Sequence, residues 1–302
     1  MHEETVYDAL TAVPGDDTRW AFGTGFDDPL AGVDTSLPDG VDAGDLGAYC
    51  LMLGDDALVL GQRLTEWVTR APELEEEVAL ANIALDLLGQ ARLLLTRAAA
   101  AGVLGRSRKE AGDTIADEDA LAYFRDPDEF RCSALVAAPG GDFARSMVRL
   151  LVAVSWRLAL FVRLRASRDP VLAAIASKGV AELTYHRDHA ARWVVRLGDG
   201  TAESHRRAQA AVDAVWPAVD DVFTATDVEQ RLAAVAVTVD PAALREEVAA
   251  VLAHVLTRAT LTVPAWPPAV APRGRIGQHG PELGELLSGL QGLARRHPAA
   301  TW

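Results

Sequence analysis

The chain has 302 residues, of which 50% are hydrophobic and 24% are charged. A composition this apolar excludes a wholly disordered protein, and the length suits one large domain or two small ones. The formal net charge of −14 argues against nucleic-acid binding, because the phosphate backbone repels an acidic surface.

Targeting and membrane signals are weak in this sequence. The N-terminal stretch MHEETVYDAL lacks a basic region followed by an apolar run, so a secretory signal is not expected. The longest apolar stretch, Met147 to Val162, is interrupted by Arg149 and Arg157, which argues against a membrane span. Cys50 and Cys132 have neither metal-ligand nor CxxC spacing, although one disulfide between them stays open. We therefore expect a reduced, cytoplasmic protein.

Residues 1–45 differ from the rest of the chain in charge. They contain eleven acidic residues and one basic residue, Arg19, and they are rich in Gly, Pro and Asp with weak periodicity. This composition predicts an acidic, largely irregular N-terminal extension. It is either a solvated tail or an arm that docks on a basic partner. Residues 46–302 are expected to form the folded domain.

The first two predicted helices follow this extension. The first runs from about Leu46 to Thr69, and the second begins at Pro72, a residue favoured in the first turn of a helix. Acidic residues at 73 and 75–77 suit the positive end of the second helix dipole. Apolar residues then recur at steps of three and four, which is the spacing of a bundle seam. The residues of this predicted seam are Leu74, Val78, Ala81, Leu85, Leu88 and Leu95.

The third predicted helix runs from Asp142 to about Ser167, after a long connection, and the fourth starts at Asp169-Pro170 and ends near Gly200. Four long helices with one long crossover predict an all-α protein, a ferritin-like four-helix bundle with additional C-terminal helices. The later predicted helices are Thr201 to Phe223, Asp240 to about Arg258 and about Pro281 to Arg296.

Ferritin-like bundles often hold two metal ions, bound by a carboxylate from each of two helices and Glu-x-x-His from each of the other two. The first helix offers Asp55, Asp56 and Glu66, one of which could be a ligand. The third helix decides the question, because it contains no Asp, Glu or His between residues 143 and 168. A complete di-metal site is therefore not expected.

The second and fourth helices carry incomplete versions of the motif. The residue three after Asp86 is a glycine, and the residue three after Glu182 is a tyrosine, with His186 one position late. We expect Asp86 and the asparagine at 82 to be buried polar groups, and Glu182 and His186 to form a helix pair or core hydrogen bond. No metal ligand and no catalytic residue is assigned to this chain. The degenerate positions are Asn82, Asp86, Gly89, Glu182, Tyr185 and His186.

The third helix also carries six arginines with no acidic residue between them. Arg145, Arg149 and Arg163 fall on one helix face. Two interpretations stay open. These cations pair with acidic residues of other helices, such as Glu75 to Glu77, or they contact an anionic ligand or partner chain, including a CoA phosphate.

Several longer strings resemble a known family, that of the C subunits of the multicomponent phenylacetyl-CoA epoxidase. The resemblance covers about Leu46 to Trp302 and omits the acidic extension. One departure lies in the third helix, where Ser155-Trp156-Arg157 stands in place of the Ala-Trp-His expected for the family. The strings are YCLMLGDDAL at 49–58, GQRLTEW at 61–67, APELE at 71–75, NIALDLLGQAR at 82–92, ELTYH at 182–186, RLGDGT at 196–201, GQH at 277–279 and AATW at 299–302.

The resemblance implies a ferritin-like fold and a structural, non-catalytic role in a hetero-oligomer. In that family a homologous A subunit holds the di-iron centre and binds the CoA thioester. A separate reductase with flavin and an iron–sulfur cluster supplies electrons from NADPH. The complex forms the ring-1,2-epoxide of phenylacetyl-CoA in aerobic phenylacetate degradation. The alternatives are a helical scaffold outside phenylacetate metabolism and an independent di-iron oxidase.

Overall fold

The computed structural model describes residues 30–104, 115–269, 271–298 and 300. Within these residues the chain is all-α, with helices and 3₁₀ turns and no strand, which confirms the all-α part of the predicted fold. Most of the predicted acidic extension, residues 1–29, lies outside the described residues. Residues 30–42 form turns and irregular backbone that lead into the first helix.

Ten α-helices follow one another along the described residues. Four are long, and two short ones lie in the long crossover between the second and third long helices. In chain order they are α1 Ala43–Thr65, α2 Leu74–Ala100, α3 Asp117–Tyr123, α4 Ala134–Ala137, α5 Phe143–Leu164, α6 Pro170–Gly198, α7 Ala202–Val215, α8 Asp227–Ala234, α9 Arg245–Arg258 and α10 Pro281–Arg296, with 3₁₀ turns at Pro127–Glu129, Trp216–Phe223, Pro241–Leu244 and Arg273–Ile276.

Aspartate caps fix where three of the long helices begin. The side chains of Asp42, Asp142 and Asp169 each accept a hydrogen bond from the backbone N–H three residues later. Such caps satisfy one of the four free N–H groups at a helix start. The predicted starts of the third and fourth long helices are thereby confirmed. The first helix begins three residues earlier than predicted, because its cap is residue 42.

The long helices pack in two hairpins, α1 against α2 and α5 against α6, and α2 also contacts α6. The two hairpins share one contiguous apolar core. Every residue from Met147 to Phe161 in α5 is buried, so this apolar stretch is the central element of the core. Helices α7 and α9 cover the outer side of α5.

The seam predicted for α2 is wrong in its first half, although Leu95 is buried in the core and Leu88 packs against it. Leu74, Val78 and Leu85 are 72%, 55% and 64% exposed, whereas Leu80 and Ile83 on the opposite face are fully buried. The helix is apolar on both faces, and the sequence spacing alone does not say which face meets the core. Consequently α2 presents an apolar stripe to the outside of this chain.

Helix α2 is also long and apolar enough to cross a membrane by length and composition. It packs along α1 and contacts α6, and the core helix of a globular protein passes the same test. Only 44% of the most apolar 18-residue stretch of α2 is buried within the chain, so its outer face is largely exposed.

Candidate functional site: a polar core between the long helices

A buried arginine lies among the four long helices. Arg157 of α5 donates from Nε to Gln90 Oε1 on α2 at 2.8 Å, and from Nη1 to the backbone carbonyl of Leu53 on α1 at 3.1 Å. The Gln90 amide in turn donates to Glu182 Oε2 on α6 at 2.9 Å. One continuous hydrogen-bond network therefore joins α1, α2, α5 and α6.

The charge of Arg157 is costly at this position. Burial lowers the pKa of its guanidinium to about 10, although the carboxylates of Asp56 and Glu182 favour the charged form. The group stays protonated at neutral pH and lies 4.6 Å from the centre of the Phe161 ring. A guanidinium has no lone pair to give a metal ion, so this core holds a fixed cation of its own.

A second polar contact lies on the α2–α6 interface. The buried His186 ring donates from Nε2 to Asp86 Oδ2 at 2.9 Å, while its Nδ1 is buried and has no hydrogen-bond partner in the described part of the chain. Burial lowers the pKa of His186 below its ordinary value, against the opposing effect of the Asp86 carboxylate. The neutral ring is therefore the form that this interface favours.

The burial expected of Asn82 and Asp86 is wrong, whereas the hydrogen bonds expected of Glu182 and His186 are made to α2. Asn82 is exposed and Asp86 is 41% exposed, because the polar stripe of α2 lies at the edge of its contact with α6. Glu182 and His186 do not bond each other, since each bonds a residue of α2. Glu182 also pairs with Lys178 at 2.7 Å. Gly89 is half-buried and Tyr185 is 54% exposed.

The two adjacent aspartates of α1 serve as anchors. Asp55 forms a buried two-point ion pair with Arg125 of the crossover. Asp56 accepts from Arg275 Nη2 at 2.8 Å and from the backbone N–H of Ser133 at 2.7 Å. Both carboxylates are almost fully buried, so their lone pairs are used to hold the crossover and the C-terminal segment against α1.

The residues present do not fit a di-iron centre. Across residues 30–104, 115–269, 271–298 and 300, no three or more His, Cys, Asp or Glu side chains are grouped closely enough to hold a metal ion. The carboxylates of Asp55 and Asp56 are engaged by Arg125 and Arg275, and the polar group that α5 places among the long helices is the guanidinium of Arg157. Cys50 and Cys132 are both buried free thiols.

The three arginines predicted to share a face do not share surroundings. Arg163 pairs with Glu247 of α9 at the surface, whereas Arg145 and Arg149 both line a small cavity beside the loop that precedes α5. None of the three pairs with residues 75–77. The structure thus separates Arg163 from the other two.

The comparisons with known proteins bear on this core. The family model described as "Phenylacetic acid catabolic protein" and named PaaA_PaaC matches residues 38–302. The chain belongs to this family. It is also 42% identical over 257 residues to the C subunit of the 1,2-phenylacetyl-CoA epoxidase of Escherichia coli (strain K12), covering 85% of this chain and 99% of that relative. The family resemblance predicted from the sequence strings is confirmed.

Sequence reasoning missed Gln90, the partner of Arg157, and the two arginines that pair with Asp55 and Asp56. Gln90 lies one helical turn after Asp86, and that spacing could have placed it on the same side of α2. Arg125 and Arg275 lie outside the long helices, where no periodic pattern indicates a partner. Only the folded chain brings them to the aspartates of α1.

Proposed function

We propose that this chain is a non-catalytic subunit of a phenylacetyl-CoA 1,2-epoxidase in aerobic phenylacetate degradation, where it supports a homologous di-iron catalytic subunit. The 42% identity to an epoxidase relative, over 99% of that relative's length, supports this assignment. The observation that carries the non-catalytic role is Arg157, a buried cation bonded to α1 and α2 in the shared core of the long helices.

The four long helices are proposed to form a ferritin-like four-helix bundle with a degenerate di-iron site. In a di-iron bundle, ligands converge from four helices on the metals. Here the network of Arg157, Gln90 and Glu182, with the carbonyl of Leu53, also joins four helices. The guanidinium supplies a positive charge to this core, and the glutamate that remains is held by Gln90 and Lys178.

The outer face of α2 supports a protein partner. Its exposed stripe of Leu74, Val78 and Leu85 follows steps of four and seven, the spacing by which one helix packs against another. Contiguous exposed apolar surface of this kind marks interaction sites. We propose that the occupant is a helix of the homologous A-type subunit, since one family model covers both PaaA and PaaC.

In this proposal the other subunits of the complex carry out the redox chemistry. The di-iron centre belongs to the A-type partner, and flavin, iron–sulfur cluster and NADPH belong to a separate reductase. This chain would bind no cofactor for turnover and would act in the cytoplasm. Its own residues would keep the partner folded and assembled.

Iron analysis of two samples tests this function. The chain is purified alone and after co-expression with its candidate di-iron partner, and iron is measured per chain by elemental analysis. We expect iron near zero on the lone chain and about two iron atoms per heterodimer. Iron is also measured on an Arg157→His variant purified alone, which tests whether the core binds iron when the guanidinium is absent.

Near-stoichiometric iron on the lone wild-type chain would overturn the non-catalytic role. Failure of the two chains to co-purify would overturn the subunit assignment. Both readouts are independent of turnover, so loss of a reductase during purification does not obscure them.

A further inference from the structure

Three arginines meet at the loop before α5, residues 138–142. Arg63 comes from α1, and Arg145 and Arg149 come from the first turns of α5. All three donate to backbone carbonyls of residues 137–140. Arg149 is only 3% exposed, so the loop and the helix enclose its guanidinium.

Positive charge exceeds negative charge in this cluster. Glu66 pairs with Arg63 at 3.1 Å, while Arg145 and Arg149 have no carboxylate partner among the described residues. Asp142 accepts from the backbone N–H of Arg145 rather than from its side chain. Burial, and then repulsion from Arg63 and Arg145, lower the pKa of Arg149 to about 10. The cluster therefore carries three positive charges against the single carboxylate of Glu66, which also favours the charged form of Arg149.

Two donors of the cluster are also unused. The Nε atoms of Arg63 and Arg149 are buried and have no hydrogen-bond acceptor in the part of the chain that the structure describes. Buried N–H groups are nearly always satisfied in folded proteins, and a buried charge without a partner is costly. An acceptor that carries negative charge beside Arg149 would satisfy both its free N–H group and its unpaired charge.

Space for such an acceptor is present. Arg145 and Arg149 line a cavity of about 70 Å³, whose other walls include Pro139, Val215 and Ala218. The volume is roughly that of two waters at ~30 Å³ each, which is room for one small tetrahedral ion. The apolar walls lower the local dielectric constant and so strengthen attraction between the guanidinium groups and an anion.

A glycine shapes the mouth of the cluster. Gly141 has φ of +149°, and a Cβ there would lie 2.6 Å from Arg145 Cδ. Because position 141 has no side chain, the Arg145 side chain lies directly over the loop. The loop sequence therefore favours the arginine placement that creates the cavity.

We propose that this pocket binds a phosphate-type oxyanion, which Arg145 and Arg149 hold through guanidinium hydrogen bonds while Arg63 adds positive charge. The planar fork of donors on arginine matches phosphate oxygens. The ion is either free phosphate or a phosphate group of a nucleotide-type ligand whose remainder lies outside the cavity. The site is separate from the polar core and does not depend on the subunit role proposed above.

Phosphate binding to the full chain tests the site. Inorganic phosphate is titrated at constant ionic strength, with chloride as the balancing anion, and ³¹P line broadening is recorded. We expect saturable binding to the wild type and a loss of about tenfold or more in affinity for Arg145→Gln. Arg163→Gln is the matched control, because it removes an arginine of the same helix that pairs with Glu247 away from the cavity.

A second ligand and a second variant complete the experiment. Adenosine 3′,5′-bisphosphate binding more tightly than phosphate would support a nucleotide-type ligand, and equal affinity would support free phosphate. Arg149→Met should abolish binding, and the partly exposed Arg145 carries the test if that variant does not fold. Broadening that does not saturate, or that Arg145→Gln and Arg163→Gln alter equally, would overturn the proposal.

Discussion

Arg157 is the residue on which the polar core depends. Its guanidinium donates to Gln90 and to the carbonyl of Leu53, so removing it leaves buried acceptors without donors, at about 1–3 kcal/mol each. We predict that Arg157→Leu lowers the free energy of unfolding by about 3 kcal/mol, and that Arg157→Lys costs less because an ammonium still donates. Urea denaturation measures both. Arg165→Leu, at an exposed position of the same chain segment, is the control.

His186 makes stability depend on pH. Its pKa in the folded protein lies below the ordinary value of 6.5 because the ring is buried, so the unfolded chain takes up a proton first as the pH falls. The contribution is complete above pH 6.5 and is lost as the pH falls through that value towards the folded-state pKa. Protonating Nδ1 would also bury an N–H without an acceptor.

We predict that wild-type stability falls between pH 7.5 and pH 5.5, and that His186→Gln reduces this fall. The glutamine amide still donates to Asp86 but does not titrate. Urea midpoints at the two pH values provide the measurement. An unchanged pH dependence in His186→Gln would assign the effect to other groups, such as His189, whose pKa burial also lowers.

The sequence shows which residue types each helix carries, but it does not show which residues those side chains contact. The absence of any ligand residue on α5 could be read directly from residues 143–168. The burial of Arg157 in the core could not be predicted, because arginine is ordinarily exposed. Helical periodicity gives the face on which the residue lies but not the residues that it contacts. Asn82 shows the converse, since its polar side chain on an apolar helix lies at the surface.

At the scale of elements, α2 illustrates the limit of pattern reading. Its existence and its acidic first turn follow from the sequence. Its orientation does not, because Leu74, Val78 and Leu85 on one side match the apolar character of Leu80 and Ile83 on the other. Apolar side chains on a helix are ordinarily buried, and the exposed stripe is therefore the surface on which the proposed partner would pack.

The exposed apolar stripe of α2 predicts how this chain assembles with the proposed di-iron partner. A Val78→Glu/Leu85→Glu variant should fold alone, because both side chains are more than half exposed, but it should not co-purify with the di-iron partner. Ile276→Glu is the control, since that side chain is 62% exposed and belongs to the 3₁₀ turn Arg273–Ile276 rather than to α2. Normal co-purification of the double variant at physiological salt would contradict the assignment of this face.

Helix α1 anchors two distant segments through its adjacent aspartates. Removing Asp56 leaves Arg275 as a buried charge without its partner, which costs about 3–5 kcal/mol. We predict a loss of that size in unfolding free energy for Asp56→Ala. Asp45→Ala breaks a pair with Arg231, whose side chain is 57% exposed, and should cost only about 1 kcal/mol. Equal losses of unfolding free energy in the two variants would show that the buried Asp56–Arg275 pair stabilises the fold no more than the Asp45–Arg231 pair does.

At the scale of the whole molecule, the two buried ion pairs of α1 are expected to determine how the chain unfolds. The Asp55–Arg125 pair fixes the crossover to α1, and the Asp56–Arg275 pair fixes the segment before α10 to the same helix. One apolar core also runs through the long helices and the C-terminal ones. We therefore expect the helices that follow α6 to fold and unfold with the long helices as one unit.

We predict a single cooperative unfolding transition for the full chain. Far-UV circular dichroism and tryptophan fluorescence should give coincident urea curves, because the tryptophans lie in both parts, Trp156 in α5 and Trp216 after α7. In Asp56→Ala the anchor to the C-terminal segment is lost, and the two curves should separate as that segment opens first. Separate curves in the wild type would mean that the C-terminal helices fold independently of the four long helices.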